Sequence, residues 1–595
     1  MRDLFHAEWL RLRRWAAGLA LAHLGWLIFL DRLVDPLRQP LLVYQVYLAL
    51  LALLGLAFGV YHLSFHARQA AWIDLLHRPL APGRIGAALL LAGLALAGLA
   101  LALPVALLLA FHQGLGAHDV ELRHLLFPVA AWAVGATGYA LGVHLRLGPP
   151  RLAWSATLLL VWLYQSRAHG PAAVAVQLAA LAIAGLLAWA DFRPDRRAAG
   201  GRVRPLVQIG LASLALGVGG VAGLRFLIQL GLMLAGSHPL NGVPPAGGLV
   251  EAVRADGAAL FALGLDARDP RQRFWIEQAA LSEIVTLEPQ WRAACPRYSL
   301  SSPADNAIED RRHHLVWNFS HDRMRYAAID LQDRRPWTPA TPPPRLPAPP
   351  LADGAGEGGL IVAGHRVLQY DAASQTFADR LTLPEGERLL APPAPAWDRL
   401  AVLSDRALRL YDGRVLRLGD RRLPALARLP LPRPAAGLVR VDLLELLDGY
   451  LVGLTYGAGV IDGRGRAEQQ FWRVDADGAR LVARRTLGAD YPAVLRAARF
   501  WFAPALSAMA AWASGMPVAP DAGDPPGPWQ AAAQPPAILA LAFASHALAA
   551  ALGAWRARRL GLAARVAMPW ALAGLLLGLP LLAAFWLSRR PRQPC

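Results

Sequence analysis

Residues Ala71–Ile85 read AWIDLLHRPLAPGRI, and this short polar stretch separates two long apolar runs. The run before it, LLVYQVYLALLALLGLAFGVYHL, and the run after it, GAALLLAGLALAGLALALPVALLLAF, are each long enough to cross the roughly 30 Å hydrocarbon core of a bilayer. A plain connection between two spans needs only polar residues. This one combines a tryptophan, an aspartate, a histidine, two arginines and two prolines, which predicts a structured loop whose surface contacts another molecule.

Within this loop the apolar side chains recur at helical spacing. Trp72, Leu75 and Leu76, with Arg68 further back, fall on one face of a short amphipathic helix. Pro79 ends that helix, because proline disfavours the α conformation of the residue before it. We expect the helix to lie along the membrane surface, with an apolar ridge and a charged rim available to a partner.

Apolar segments account for much of the chain. Hydrophobic residues make up 55% of its 595 residues, and the mean hydropathy is +0.33. Seven candidate spans lie in the first 235 residues, at 15–30, 41–63, 86–111, 125–145, 152–165, 171–190 and 206–235. Near the C-terminus Pro536–Ala554 and Val566–Leu587 are clear candidates, whereas Arg499–Met516 either spans or lies at the interface. The sequence predicts a polytopic α-helical membrane protein with nine or ten spans in a lipid bilayer.

The charged residues predict the orientation of the chain in the membrane, and they exclude chemistry that depends on lysine. Fourteen arginines lie in segments 1–14, 64–85, 146–151 and 191–205, against four in the loops on the other side, so the N-terminus is expected in the cytoplasm. The net charge of +18 therefore reflects topology, and no nucleic-acid partner is expected. All 60 basic residues are arginine, so the chain has neither a P-loop lysine nor a Schiff-base lysine.

A change in composition near residue 236 marks a large extracytoplasmic region that follows the transmembrane bundle of residues 1–235. We expect a first part at 236–337, a Pro-rich linker at 338–350, a β-rich part at 351–498 and a C-terminal membrane region at 499–595. The pairs Tyr370-Asp371 and Tyr411-Asp412 are 41 residues apart, close to the length of a propeller blade. This spacing favours a mainly β, propeller-like domain, with an unrelated mixed-β domain as the alternative.

The segment LLHRPLAPGRI, followed by AGLALAGLALALP, resembles the membrane subunits of ABC-type exporters of the type-2 permease class. Gly138–Arg146, GYALGVHLR, is similar to the small-residue end of the fourth span in such permeases. The resemblance covers roughly residues 1–235. The appended extracytoplasmic region and the additional spans depart from the usual six-span permease.

The resemblance implies a permease subunit, without catalytic, cofactor-binding or metal-binding residues of its own, in the bacterial inner membrane. The helix at 65–84 would be a coupling helix that contacts a separate P-loop ATPase, where ATP and Mg²⁺ bind. A homodimer or a paired second permease is implied, because two ATPases need two membrane subunits. The contact residues carried over are Arg68, Trp72, Leu75, Leu76, His77, Arg78, Pro79 and Arg84.

Other interpretations stay open at the level of the sequence. The chain could be a membrane-anchored extracytoplasmic binding or assembly protein without transport activity, or a membrane enzyme acting on a lipid. Arg225 lies in the seventh apolar run and is a candidate functional charge, although an arginine there can also extend to the interface. We expect His23, His62 and His546 to hydrogen-bond to neighbouring helices. The histidines and aspartates of EDRRHHLVWNFSHDR, Glu309–Arg323, are not expected to form a metal site, since adjacent residues on a strand face opposite sides.

Overall fold

The computed structural model describes residues 1–114, 120–166, 168–193, 203–241, 243–289, 298–301, 307–333, 335–347, 349–351, 360–418, 423–460, 466–475, 477–515 and 534–588. Helices occupy the first 234 residues and the last hundred, and antiparallel sheets lie between them. This order agrees with the predicted succession of apolar, mixed and apolar sequence.

The N-terminal helices follow the seven apolar segments, with the predicted short helix between the second and the third. They are α1 (Arg2–Asp31), α2 (Leu41–His66), α3 (Gln69–Leu76), α4 (Pro82–Ala97), α5 (Leu103–Gly114), α6 (Leu126–Leu147), α7 (Leu158–Gln165), α8 (Gly170–Ala190) and α9 (Val203–Leu234). One turn of π-helix, Gly98–Ala102, joins α4 to α5, so these two helices form one continuous element.

At the centre of the bundle α2 and α6 run parallel and touch through their backbones. A Cβ atom on Gly55 would lie 1.9 Å from the carbonyl oxygen of Gly135, and one on Gly138 would lie 2.0 Å from that of Ala52. Only glycine permits this approach, as in other closely packed membrane helices. We call this contact the glycine seam. It makes α6 the most enclosed of the apolar helices.

In the part of the chain that the structure describes, six helical stretches are long and apolar enough to cross a membrane, which indicates an integral membrane protein. They are Leu41–His66, Pro82–Gly114, Leu122–Leu147, Gly170–Ala190, Leu206–Leu234 and Pro536–Arg559. The expected number was nine or ten. α1 is charged over its first half, α7 has only eight residues, and the last apolar run is divided into two short helices.

The region after α9 begins with helices, not strands. α10 (Leu249–Arg254), α11 (Gly257–Gly264) and α12 (Pro270–Leu281) precede the first strand. Asp256 and Asp269 cap α11 and α12 by accepting hydrogen bonds from backbone N–H groups of the first turn. The sequence-based description of the domain as mainly β therefore omits a small helical layer, which packs on the largest sheet.

The strands form four antiparallel sheets. The first three consist of strands consecutive in sequence: β2 (Ile308–Asp310), β3 (Leu315–Ser320), β4 (Arg325–Asp330) and β5 (Arg335–Trp337); β6 (Leu360–Ala363), β7 (Arg366–Asp371) and β8 (Thr376–Thr382); and β9 (Ala394–Ala396), β10 (Arg399–Leu403), β11 (Ala407–Asp412) and β12 (Ala427–Pro430). The fourth sheet adds β1 (Ile284–Leu287) to β13 (Leu438–Leu446), β14 (Gly449–Tyr456), β15 (Glu468–Asp475) and β16 (Gly478–Thr486), in that order.

The two Tyr-Asp pairs end β7 and β11, which belong to neighbouring sheets in the sequence. The 41-residue spacing therefore reflects two similar hairpins. Among the described strands no sheet closes into a barrel and no propeller is found, so the structure supports a β domain beside the apolar helices and lends no support to a propeller-like arrangement. A local repeat of strand and turn does not determine how the sheets are arranged.

The Pro-rich stretch is not a free linker, because Leu346 is buried and its N–H donates to the carbonyl of Met324.

The C-terminal region returns to the helical bundle. It comprises α14 (Ala493–Arg496), α15 (Ala498–Phe502), α16 (Pro504–Gly515), α17 (Pro536–Arg559), α18 (Ala564–Leu577) and α19 (Leu579–Ser588), and a short α13 (Val415–Leu418) lies earlier in the β region. The ambiguous segment at 499–516 thus contains two short helices and not one span. The indole N–H of Trp162 donates to the carbonyl of Ala513 at 2.8 Å, which joins α16 to α7.

Candidate functional site

The loop after α2 contains the short helix that the sequence predicts. α3 begins after Arg68, whose extended backbone turns the chain away from α2, and His77 is its C-cap. Pro79 then prevents continuation, because it has no N–H to donate. α4 begins at Pro82, a position where proline suits the first helical turn. The helices α2, α6 and α8 have their C-termini at the same side of the bundle as α3. We call this side the α3 end.

Two apolar side chains of α3 face the bundle. Trp72 is 7% exposed and Leu75 is 3% exposed, and both belong to a core cluster built from α2, α4, α6 and α8. The ring of Trp72 lies 4.8 Å from that of Phe192, just after α8. The apolar ridge that the sequence predicts for α3 therefore faces the bundle at Trp72 and Leu75, and Phe192 packs against Trp72. The side chain of Leu76 lies outside the described part of the structure.

The outward surface at the α3 end is mainly charged and polar. Ile73, the neighbouring apolar residue on α3, is 44% exposed. The exposed polar and proline positions of this surface are Arg68, Asp74, His77, Arg78, Pro79 and Arg84. Of the predicted contact residues, Trp72 and Leu75 therefore anchor α3 to the bundle. The exposed residues are the ones accessible to a partner.

A buried polar cluster lies next to this surface, between α1 and α2. The side-chain Nε2 atom of His62 lies 3.2 Å from one carboxylate oxygen of Glu8, and Nε2 of His66 lies 3.1 Å from the other. All three residues are at most 5% exposed. Arg11 adds an ion pair to Glu8 at 2.7 Å. These three ligand-bearing groups lie close enough together to hold one metal ion.

Burial favours the neutral acid form of Glu8, but its neighbours His62, His66 and Arg11 outweigh that effect and hold the pKa of Glu8 below its usual value. The carboxylate is thus charged and able to act as an acceptor or a ligand. His62 was expected to bond to a neighbouring helix, and its contacts with Glu8 and with the hydroxyl of Tyr139, 2.9 Å away, confirm this.

Sequence reasoning missed Glu8 and His66. Glu8 lies among the N-terminal arginines that were interpreted as topology signals. His62 and His66 are four residues apart in a helix and therefore share a face. That spacing was the available signal, but only the fold shows that α1 supplies a carboxylate opposite it.

A second buried ion pair links α6 to the end of α8. Nδ1 of His144 lies 2.5 Å from a carboxylate oxygen of Asp191, and both side chains are at most 2% exposed. Phe192, the next residue, is the one that packs on Trp72. α3 is therefore connected through one aromatic contact and one ion pair to the central helix of the bundle.

The remaining histidines differ in their partners. His23 contacts the hydroxyl of Tyr47 at 3.0 Å and the carbonyl of Ala100 at 3.1 Å, so its predicted bond to a neighbouring helix is confirmed. Nδ1 of His546 instead donates to the carbonyl of Ala542 within its own helix. Arg225 is half-buried in the last third of α9.

In the extracytoplasmic region, Asp310 is the centre of a hydrogen-bond network. It accepts from the hydroxyl of Tyr370 at 2.7 Å and from the ring and the backbone N–H of His313 at 2.9 and 3.1 Å. His314 adopts a left-handed backbone conformation in the following turn (φ 54°). These contacts give the Asp310 network a structural role between two sheets.

At the opposite end of the bundle, an apolar cavity of about 380 Å³ lies between α2, α7 and α8. Ser299 and Ser301, from the chain after α12, line its outer end. Gln177 is buried at its wall, and the side-chain oxygen of this residue has no hydrogen-bond partner among the described residues. Arg123 connects the same end to the β region, because its side chain donates to the Ser299 carbonyl and its backbone N–H donates to Asp322 at 3.0 Å.

No family model, no curated protein and no solved structure matches this chain.

Proposed function

We propose that this chain is the permease subunit of an ATP-driven exporter and is coupled to a separate ATPase through the exposed face of α3. The observation that carries the proposal is the construction of the α3 end. A short helix between two long apolar stretches is anchored by Trp72 and Leu75, and its other face displays exposed charges.

The anchoring gives α3 a means of transmitting movement. A partner that displaces the helix would act on Trp72, and through its contact with Phe192 on the ion pair between Asp191 and His144. His144 belongs to α6, which is joined to α2 along the glycine seam. A displacement at the surface would thus reach the central pair of helices through packed groups and not through a flexible loop.

The apolar cavity between α2, α7 and α8 is the best candidate for a cargo site. Its wall is mostly hydrocarbon, and among the described residues it includes the unpartnered side-chain oxygen of Gln177. A molecule with an apolar body and one hydrogen-bond donor matches that lining. The proposed cargo class is therefore an amphiphile that enters from the bilayer.

The proposed setting is the bacterial inner membrane, with the α3 end in the cytoplasm and the β region outside. The support is the distribution of arginine, fourteen against four, between the two sides of the predicted topology. A homodimer or a pair of related permeases would supply two coupling surfaces for two ATPases.

Co-purification of the ATPase from its native membrane tests the proposal. We expect a P-loop ATPase to be recovered in stoichiometric amount with the tagged protein, and Ile73→Asp combined with Arg78→Glu to reduce that recovery at least tenfold. Matched controls are Leu281→Asp and Arg273→Glu on α12, which are exposed, Leu281 more so than Ile73, and remote from α3.

Recovery of the ATPase that is unchanged in the α3 variant would refute the coupling role. Recovery of extracytoplasmic partners without any ATPase would instead favour the alternative function, a membrane-anchored binding or assembly protein. The contacts of Arg123 hold the β region on the bundle. In the alternative function, the β region would therefore present its binding surface in a fixed position relative to the membrane helices.

A further inference from the structure

We propose that Glu8, His62 and His66 bind one divalent transition-metal ion at the α3 end, with Zn²⁺ as the best-matched ion. The proposal concerns the fold of the N-terminal bundle and does not depend on the transport function. It rests on ligand chemistry, on the separation of the ligand atoms, on an unsatisfied ring nitrogen and on the support of the ligands by neighbouring groups.

The ligand chemistry suits zinc. Two imidazole nitrogens and one carboxylate oxygen form a ligand set used by zinc in proteins with three protein ligands, where a fourth position is left for water or another group. His62 and His66 are one helical turn apart on α2, so both imidazoles project from the same face, and Glu8 approaches from α1. Two helices therefore supply a converging set without any loop.

The separations are those of ligands around a small ion. With metal–ligand bonds of about 2.0 Å at tetrahedral angles, adjacent ligand atoms lie about 3.3 Å apart. Nε2 of His62 is 3.2 Å from one oxygen of Glu8 and Nε2 of His66 is 3.1 Å from the other, and with one ligand atom taken from each residue all three lie within 4.8 Å of one another. Small side-chain rotations suffice to bring three such atoms to one centre.

An ordinary hydrogen-bond network does not account for His66. Its Nε2 atom is buried and lies 3.1 Å from Glu8, yet the geometry is not that of a hydrogen bond. A buried nitrogen held only by this poorly aligned contact stabilises the fold less than a well-aligned hydrogen bond would. A metal ion placed between His66 and the carboxylate would satisfy it without removing the ion pair of Arg11 with Glu8.

The groups that contact the ligands are arranged as expected around a metal site. Nδ1 of His62 lies 2.9 Å from the hydroxyl of Tyr139, which orients the ring so that Nε2 points to Glu8. Such outer contacts fix ring orientation in metal proteins. Gly93 leaves the space that the Tyr139 hydroxyl occupies, because a Cβ there would lie 2.0 Å from that hydroxyl.

Occupancy would tie the start of α1 to the end of α2. His66 is the last residue of α2, and α3 begins at Gln69, so the ion would fix the base from which α3 extends. The expected consequence is a metal-dependent increase in the thermal stability of the helical bundle.

The experiment uses the full-length protein, purified in detergent through a tag without histidines, stripped with a chelator and titrated with Zn²⁺. We expect one bound Zn²⁺ per chain by elemental analysis and a rise in Tm on zinc addition. His66→Gln and Glu8→Gln should each weaken zinc binding at least tenfold and remove the Tm shift, and Tyr139→Phe should weaken binding about tenfold.

His77→Gln is the matched control, because His77 lies close by in the chain but is exposed and outside the cluster. It should retain both the zinc stoichiometry and the Tm shift. A wild-type protein without stoichiometric zinc, or equal zinc binding in the wild type and both ligand variants, would overturn the proposal. If one ligand variant does not fold, the other decides the outcome.

Discussion

The rings of Trp72 and Phe192 are in contact, with their centroids 4.8 Å apart and their planes inclined by 45°. This contact fastens α3 to the end of α8 across 120 residues of sequence. It also explains why the helix holds its orientation, since eight residues in isolation are too few for a stable helix in water.

Replacing Trp72 by alanine should loosen α3 and destabilise the bundle. Loss of a buried tryptophan costs about 3–5 kcal/mol, which should lower the Tm of the detergent-solubilised protein and expose the 67–80 loop to protease. Trp15→Ala is the control, because Trp15 is 71% exposed. Equal effects of the two substitutions would show that Trp72 is not an anchor.

Gly55→Ala should disrupt the seam between α2 and α6. The added methyl group would meet a carbonyl oxygen at 1.9 Å, so the two helices would have to separate. We expect a lower Tm and a lower yield of folded protein. Gly210→Ala in α9 has open space around it and should be neutral, or stabilising by up to about 1 kcal/mol through helix propensity. A tolerated Gly55→Ala would contradict the close approach.

Asp191→Asn should remove the buried ion pair with His144. Breaking such a pair while one partner stays buried costs about 3–5 kcal/mol. A double-mutant cycle with His144→Ala, read from thermal unfolding, should give a coupling energy well above that of an exposed pair. The pair of Asp477 with Arg480, 3.6 Å apart and largely exposed, provides that comparison and should give about 0–1 kcal/mol. Additive effects at His144 and Asp191 would disprove the pairing.

Asp310 should contribute stability that depends on pH. Burial raises its pKa, but the hydrogen bonds from Tyr370 and His313 outweigh burial, so the pKa of Asp310 in the folded protein lies below its ordinary value of 3.8. A depressed carboxyl pKa stabilises the fold above the unfolded pKa, and this contribution is lost as the pH falls through the folded pKa.

Tyr370→Phe should therefore destabilise the β region more at pH 7 than at pH 3. Removal of a hydrogen bond to a charged group costs about 1.5–3 kcal/mol at the higher pH. Urea unfolding followed by tryptophan fluorescence is a suitable measurement, because Trp317 lies 5.3 Å from Tyr370. A destabilisation of the same size at both pH values would be inconsistent with a charged acceptor.

Ala173→Phe should fill the apolar cavity without altering the α3 surface. In the proposed complex, cargo-stimulated ATP hydrolysis should fall while ATPase co-purification stays at the wild-type level. Leu178→Phe on the same helix is the control, since Leu178 is 39% exposed and does not line the cavity. Unchanged stimulation in Ala173→Phe would exclude this cavity as the cargo site.

The sequence predicts the long helices and α3 because apolar run length and proline position depend on local chemistry. It does not predict which face of α3 is covered, since that depends on Phe192, which is distant in sequence. The same limit applies to the Glu8 cluster. Only the packing of α1 against α2 shows that an acid among N-terminal arginines lies opposite two histidines.

The arrangement of the sheets was also beyond local reasoning. The spacing of the pairs Tyr370-Asp371 and Tyr411-Asp412 favoured propeller blades, whereas the pairs end strands of two similar hairpins, and hairpin repeats are compatible with several assemblies. β1 pairs with β13, about 150 residues later in the chain. Such a distant pairing has no signature in either strand.

Because of the glycine seam, we expect α2 and α6 to behave as one rigid body. Where two backbones are in contact, no side chains lie between them that could rearrange. α2 and α6 therefore move together, or they separate and lose the whole contact. Any widening of the apolar cavity must then come from its other walls. α7 has only eight residues and follows directly on a 3-10 turn, Ala153–Thr157, so it is the shortest wall of the cavity and the one that we expect to move.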